Sequence, residues 1–434
     1  MTAIAILGSG MGAVGAAYRL RSEKAASVLY DKNPHPGGHT ASFHHPSGFI
    51  FDCGPHVSFT KDERVQGLFA EAVNGAYEAV QYNINNYWQG YWFPHPVQCN
   101  LYGLPPELVT KVIACFVEEV RKPPSTPGNY EEWLIASYGA VLAETFPMAY
   151  TAKYHTTPAR NLTTDWMGPR MYRPSLEEML LGALSPSVPN NHYITNFRYP
   201  TQGGFQSYVN GLRGKSEVVL NHQLVRLDPA SKELTFANGN RMNYDAVVSS
   251  IALTDLIPMI VGAPAEVLAA AATLACSSVV LVNVGVARPD VSKAHISYFY
   301  DSDVCFSRLS FPHLFSPHTA PPGASAIQAE VYFSKKYMPL DRSPEACIEP
   351  VLRDLRKVGI LREDDQILHK NAAFAEYANI IFDHDRPKAL AIVHGYLDEI
   401  GVSYCGRYGD WAYLWTDDSF KSGERAAETA LARL

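Results

Sequence analysis

Ala3-Ile4-Ala5-Ile6-Leu7-Gly8-Ser9-Gly10-Met11-Gly12-Ala13-Val14-Gly15 opens the chain, and Asp31 closes the next apolar run, Ala26 to Asp31, twenty-three positions after Gly8. The order decides the fold. A short β-branched run, a glycine-rich turn, a helical stretch from Met11 to Arg21 and a second strand make one βαβ unit. Gly8 permits a tight turn, Gly10 lets backbone approach a pyrophosphate, and Ala13 or Gly15 allows close packing of the helix. The N–H groups of Met11 and Gly12 open the helix, whose positive end favours a pyrophosphate. Asp31 is placed to accept hydrogen bonds from ribose hydroxyls. A dinucleotide site at the start of the chain is the expectation.

Working outward, Asn33-Pro34-His35-Pro36-Gly37-Gly38-His39-Thr40 adds a second glycine pair directly after the acid. An NAD site does not need that pair. A backbone that must run along FAD does, so the expected cofactor is FAD.

At 434 residues the chain exceeds the size at which one core stops growing, so several packed units are expected. From about Pro94 to Tyr193 the character is helical, with Glu107 to Arg121 and Tyr130 to Phe146 as helices and a Pro-rich break at Lys122 to Asn129. Short strands resume at Val218 to Asp228, Glu233 to Phe236 and Ala246 to Ser250, around the turn Ala237-Asn238-Gly239-Asn240. A strand-rich block follows from Val279 through Tyr332, and Glu424 to Leu434 reads as an Ala-rich helix. The reading is an α/β chain in which a Rossmann-type FAD-binding domain carries an inserted helical domain and a mixed or antiparallel sheet substrate domain. Its expected boundaries are 1–93, 196–255 and 391–434 for the cofactor domain, 94–195 for the helical insertion and 256–390 for the sheet.

The net charge of −7 and the lack of any Lys/Arg block give no footprint for nucleic acid or anionic lipid. Seven scattered cysteines without a CxxC spacing argue against a disulfide framework or a zinc site and suit a reducing cytoplasm. His39, His44 and His45 lack a partner at ligand spacing, so no metal is expected. Val267 to Ala287 has no charge over twenty-one residues, long enough to span a bilayer. Its first half is alanine-rich and its second β-branched, which predicts a helix end followed by a buried strand. The sequence leaves the oligomeric state open.

Several later motifs share a pattern with the opening. Gly8 to Leu20, Asp31 to Thr40 and Gly48 to Phe59, the last containing Asp52-Cys53-Gly54-Pro55-His56, resemble the FAD-binding start of the amine oxidase/protoporphyrinogen oxidase superfamily. Tyr150-Thr151-Ala152-Lys153 with Pro158-Ala159-Arg160-Asn161-Leu162, Tyr199-Pro200-Thr201-Gln202-Gly203-Gly204-Phe205, Phe306-Ser307-Arg308, and Gly406-Arg407 with Tyr413 resemble its UDP-galactopyranose mutase branch.

The resemblance implies a reaction in which reduced flavin attacks the anomeric carbon of a nucleotide sugar through N5, expels the nucleotide diphosphate, and lets the sugar ring reopen and close as a furanose. It places Arg160 and Arg308 as a clamp on the diphosphate, where planar guanidinium groups bind phosphate oxygens in pairs. Gly54, Pro55 and His56 fall against the isoalloxazine, and Arg407 and Tyr413 on the flavin. Val219 and Val225 fall in the strand beside adenine, although a purely structural β role fits them equally. Tyr150, Trp92 and Tyr413 are the further substrate candidates, with Trp92, His95 and Gln98 also readable as a loop packed on the flavin domain. The alternative, from the oxidase branch, is oxidised FAD removing a hydride from an amine, an alcohol or a ring.

Overall fold

The computed structural model describes residues 3–123, 126–168, 171–186 and 194–434. Pro124 and Ser125 of the Pro-rich break, and the end of the helical stretch at Tyr193, lie outside the described residues. The opening motif folds as a strand Ile4–Leu7, a helix Met11–Ser22 and a strand Ser27–Tyr30. These strands stand inside a five-stranded parallel sheet in the order Val402–Tyr404, Ala246–Ser249, Ile4–Leu7, Ser27–Tyr30 and Glu217–Val219. Three distant parts of the chain therefore build one Rossmann sheet. All four residues of Ile4–Leu7 are buried, as a central parallel strand covered on both faces requires.

Gly15 corrects one expectation. It packs not on the sheet but on the C-terminal helix Thr416–Ala432, where a Cβ at Gly15 would stand 2.0 Å from the Phe420 carbonyl oxygen. That helix begins eight residues before the expected Glu424.

The second sheet has seven strands, in the order Ile367–Ala375, Ser277–Val286, Ser325–Ser334, Arg308–Ser310, Ile296–Phe299, Ile84–Trp88 and Tyr91–Pro94. Neighbours are antiparallel except Ile296–Phe299 with Ile84–Trp88, so the sheet is mixed. Ile84–Trp88 and Tyr91–Pro94 thus pair with this sheet, although the expected boundary at 93 put most of them with the cofactor segment. Local sequence could not show that choice of partner.

Val267 to Ala287 resolves as the helix Ala265–Thr273 and the strand Ser277–Val286, every residue of which is buried. Among the described residues no helix is long and apolar enough to cross a membrane. The helices Pro106–Val120, Tyr130–Tyr138, Ala149–Tyr154 and Leu176–Leu184 form the helical unit beside this sheet. Gly139, at φ 75°, breaks the expected Tyr130 to Phe146 helix and lies so close to Cys115 that a Cβ would stand 2.9 Å from its carbonyl carbon. A side chain would fit neither the turn nor the approach.

Candidate functional site

A cavity of about 1060 Å³ is lined by residues of both sheets. That exceeds the roughly 300–1,000 Å³ of a single small-molecule site, and it leaves room for a cofactor and a second ligand. Gly8, Ser9, Gly10, Met11, Gly12 and Asp31 line its first part. Gly38, His39, Gly54, Pro55 and His56 line the middle, and Tyr154, Tyr298, Arg308, Glu330, Tyr332, Arg407 and Tyr413 contribute to the rest of its wall.

The glycine cradle is assembled by long-range contacts. Gly37 N–H donates to the Ser9 carbonyl at 3.2 Å, and a Cβ at Gly38 would lie 3.2 Å from Gly10 Cα. The two glycine pairs therefore pack on each other. Gly10 caps the helix with no side-chain hydrogen bond, so its first N–H groups remain for an anion. Asp31 is buried, accepts the Asn33 N–H at 2.8 Å on Oδ1 and the Ser9 hydroxyl on Oδ2. A cavity of this volume, with a glycine cradle, an open helix start and a buried acid beyond the turn, fits FAD.

His39 and His56 stand in the middle of the wall. Burial, with His56, Arg407 and Lys32 nearby, pulls His39 down to about 3. Burial also brings His56 down to about 4, against a hydrogen bond of its Nδ1 with the Gly54 carbonyl at 2.9 Å. Both imidazoles are neutral at physiological pH. Asp52, just before Cys53 and Gly54, accepts hydrogen bonds from Ser42, Tyr199 and the Phe205 N–H, yet burial raises its carboxyl to about 6. Its contacts tie the Cys53–His56 loop to the Gly203-Gly204-Phe205 turn, and Phe205 packs under the His56 ring at 5.5 Å.

At the far end, Arg308 and Glu330 face each other on neighbouring antiparallel strands. Arg308 donates Nε to Glu330 Oε2 and Nη2 to Oε1, each at 2.8 Å. Tyr332 donates its hydroxyl to the same Oε2 at 2.6 Å. Glu330 is only 1% exposed, so the ion pair closes a buried acid. Tyr154 and Tyr413 meet hydroxyl to hydroxyl at 3.3 Å, and the Arg308 guanidinium lies 5.9 Å from the Tyr154 ring.

The expected site residues divide. Gly8, Gly10, Met11, Gly12, Asp31, Gly38, His39, Gly54, Pro55, His56, Arg308, Gly406, Arg407 and Tyr413 all line the cavity. Ala13 and Gly37 do not line it; Ala13 is buried, and Gly37 N–H bonds the carbonyl of Ser9, which does. Tyr150 is a second layer, its ring 5.2 Å from that of Tyr154. Val219 does not line the wall but offers its carbonyl to Asp31 N–H at 3.0 Å, and Val225 is 44% exposed, so His222, Gln223 and Leu224 take that stretch of wall.

Two substrate candidates are corrected. Arg160 sits exposed on the short turn Ala159–Asn161 outside the cavity wall, where its carbonyl is bonded by His384 at 3.2 Å. Trp92 is 40% exposed on an outer strand, packed on Tyr87 and Phe299, and also lies outside the wall. Of the two expected clamp arginines, Arg308 lines the wall and Arg160 does not. Glu330, Tyr332, Tyr298 and Asn379 were not anticipated. A lone acid inside the otherwise uncharged strand Ser325–Ser334 is the sequence signal by which Glu330 could have been found.

Residues 6–72 match the NAD(P)-binding Rossmann-like domain, and residues 143–431 match the flavin containing amine oxidoreductases. Among solved structures, the chain is similar to a reduced UDP-galactopyranose mutase, with a TM-score of 0.93, 25% identity, and coverage of 100% of this chain and 96% of that one. A candidate protoporphyrinogen oxidase from Exiguobacterium sp. 255-15 gives a TM-score of 0.78 at 15% identity, covering 100% and 99%. A CLA-producing fatty acid isomerase from P. acnes gives 0.67 at 11% identity, covering 98% and 97%. The last two share the fold.

Proposed function

The chain belongs to the flavin containing amine oxidoreductase family and is an FAD-dependent enzyme, a mutase or an oxidoreductase; within those bounds we propose that it is a mutase-like isomerase of a nucleotide-linked sugar. The observation that carries this reading is the likeness to a UDP-galactopyranose mutase over the whole chain, substrate-side sheet and helical unit included. The cavity supports it, because its wall continues past the glycine cradle into a polar, aromatic end.

Reduced FAD, when bound, supplies the nucleophile for a reaction at an anomeric carbon. The protein's part is orientation and electrostatics. Arg308, fixed by Glu330, presents a planar cation whose direction does not depend on substrate, so little rotamer entropy is lost when a phosphate oxygen binds it. The paired Tyr154 and Tyr413 hydroxyls offer donors and acceptors to sugar hydroxyls. His56 and His39, both neutral, keep the middle of the wall free of competing charge.

With the protein held under dithionite, UDP-galactopyranose should convert to its furanose with no net electron change. Steady oxygen uptake that depends on an amine, alcohol or ring substrate would instead favour oxidoreductase chemistry.

A further inference from the structure

Arg407 lines the cavity, yet its guanidinium has no acid. Nε and Nη2 donate to the Leu414 carbonyl at 3.0 and 2.7 Å, and Nη1 donates to the Ala378 carbonyl at 3.2 Å and Asn379 Oδ1 at 3.5 Å. Its central carbon lies 5.3 Å from the centre of the Tyr413 ring. Every partner is neutral. Among the described residues it forms no ion pair, whereas Arg308 has Glu330 and the similarly enclosed Arg386 has Asp165.

The surroundings do not supply the missing charge. The groups acting on Arg407 are Tyr408, Tyr413, Tyr154 and Cys276, and its charge in turn reaches His39 and His56. Burial raises the proton affinity of Tyr408, Tyr154 and the Cys276 thiol, which keep their protons at neutral pH, and the imidazoles are uncharged. Arg308 and Glu330 cancel. The other acids of the wall, Asp31, Asp255 and Glu376, are not among the groups acting on Arg407, so its enclosed cation has no acid of its own, an arrangement that costs free energy unless a ligand compensates it.

We propose that Arg407 is the counter-charge for reduced flavin, holding the cofactor after two-electron reduction in the form that has taken up one proton, at N5, and keeps a negative charge over N1 and the C2 carbonyl. The electrons come from an external two-electron donor such as dithionite. Uptake of a second proton would give the neutral form. By linkage, a site that prefers the anion binds reduced FAD more tightly than oxidised FAD and raises the potential of the bound couple. This rests on FAD occupying the cavity and not on the mutase reading, so its failure leaves that reading standing.

The test is a pH titration of the dithionite-reduced holoprotein, followed by absorbance and by nitrogen NMR of labelled flavin, alongside the midpoint potential. Arg407→Gln keeps donors for the two carbonyls and removes the charge, while Arg407→Lys keeps the charge. The expected result is an N1 proton affinity in the wild type well below that of free reduced flavin, raised about tenfold or more, one pH unit, in Arg407→Gln, with a lower potential. Arg407→Lys should stay near the wild type. Equal titrations in the wild type and Arg407→Gln would overturn the proposal, including where only UDP affinity falls and the charge serves a substrate diphosphate. Equal shifts in Gln and Lys variants would also overturn it. Should Arg407→Gln not retain FAD, a wild-type N1 titration at or above that of free reduced flavin overturns it, and one well below, kept in Arg407→Lys, supports it.

Discussion

Gly423, in the C-terminal helix, sits directly over Gly12, in the first helix: a Cβ at Gly423 would come within 1.8 Å of the Gly12 carbonyl oxygen. The first and last helices of the chain meet backbone to backbone at the glycine cradle. Gly423→Ala should therefore push the C-terminal helix away from the cofactor turn. Because the obstacle is backbone and cannot rotate aside, a loss of about 3 kcal/mol or more is expected. Thermal melting would read it together with the FAD content of purified protein, and an unchanged melting temperature would refute the packing described here.

Glu330 is buried and pairs with the part-buried Arg308, so removing the arginine leaves a buried charge without compensation. Arg308→Met should destabilise by roughly 3 kcal/mol, while Arg308→Met with Glu330→Leu should recover most of that. Urea unfolding of the two single variants and the double variant measures the coupling. Simple additivity of the single losses would contradict a functional pair.

Arg160 and Arg308 should part company in binding. Arg160→Ala, on the surface, should leave affinity for UDP within about twofold, and Arg308→Lys, which loses the planar fork, should weaken it about tenfold or more. Isothermal titration with FAD-loaded protein distinguishes them, and a large loss in Arg160→Ala would return that residue to the site.

Tyr413→Phe should reduce substrate affinity by about tenfold, the scale of one hydrogen bond, without changing FAD content. A loss of flavin instead would place the hydroxyl's role on the cofactor.

Asp52 gives a pH signature. Its carboxyl is raised from 3.8 to about 6 in the folded protein, so the folded state binds that proton more tightly than the unfolded state. Stability from this group is greatest below pH 4, falls as pH rises from about 4 to about 6, and is flat above, a change on the order of 3 kcal/mol. Asp52→Asn should remove that fall. Denaturation midpoints at pH 4, 5, 6 and 7 in both proteins test it, and parallel curves would exclude Asp52 as the titrating group.

What the sequence by itself determined is local. The βαβ opening, Gly8 to Gly12, Asp31 and the Gly37-Gly38 pair are set by turn conformation and the period of one strand and one helix, and those forces act between neighbours. The change from helix to strand between Ala265 and Val286 was legible for the same reason, since propensity alone separates alanine from valine. What only the tertiary structure decided is which distant groups meet. The register between Arg308–Ser310 and Ser325–Ser334 puts Glu330 opposite Arg308, a choice made by strand pairing rather than by either segment. The fold likewise leaves Arg160 on the surface, because the motif around it fixes the chain's path but not which side of that path faces the cavity. Gly15 packs against a helix four hundred residues later in the chain, and Arg407 lines the cavity among neutral partners. Burial and charge compensation at these places are sums over segments far apart in sequence, which no local pattern encodes.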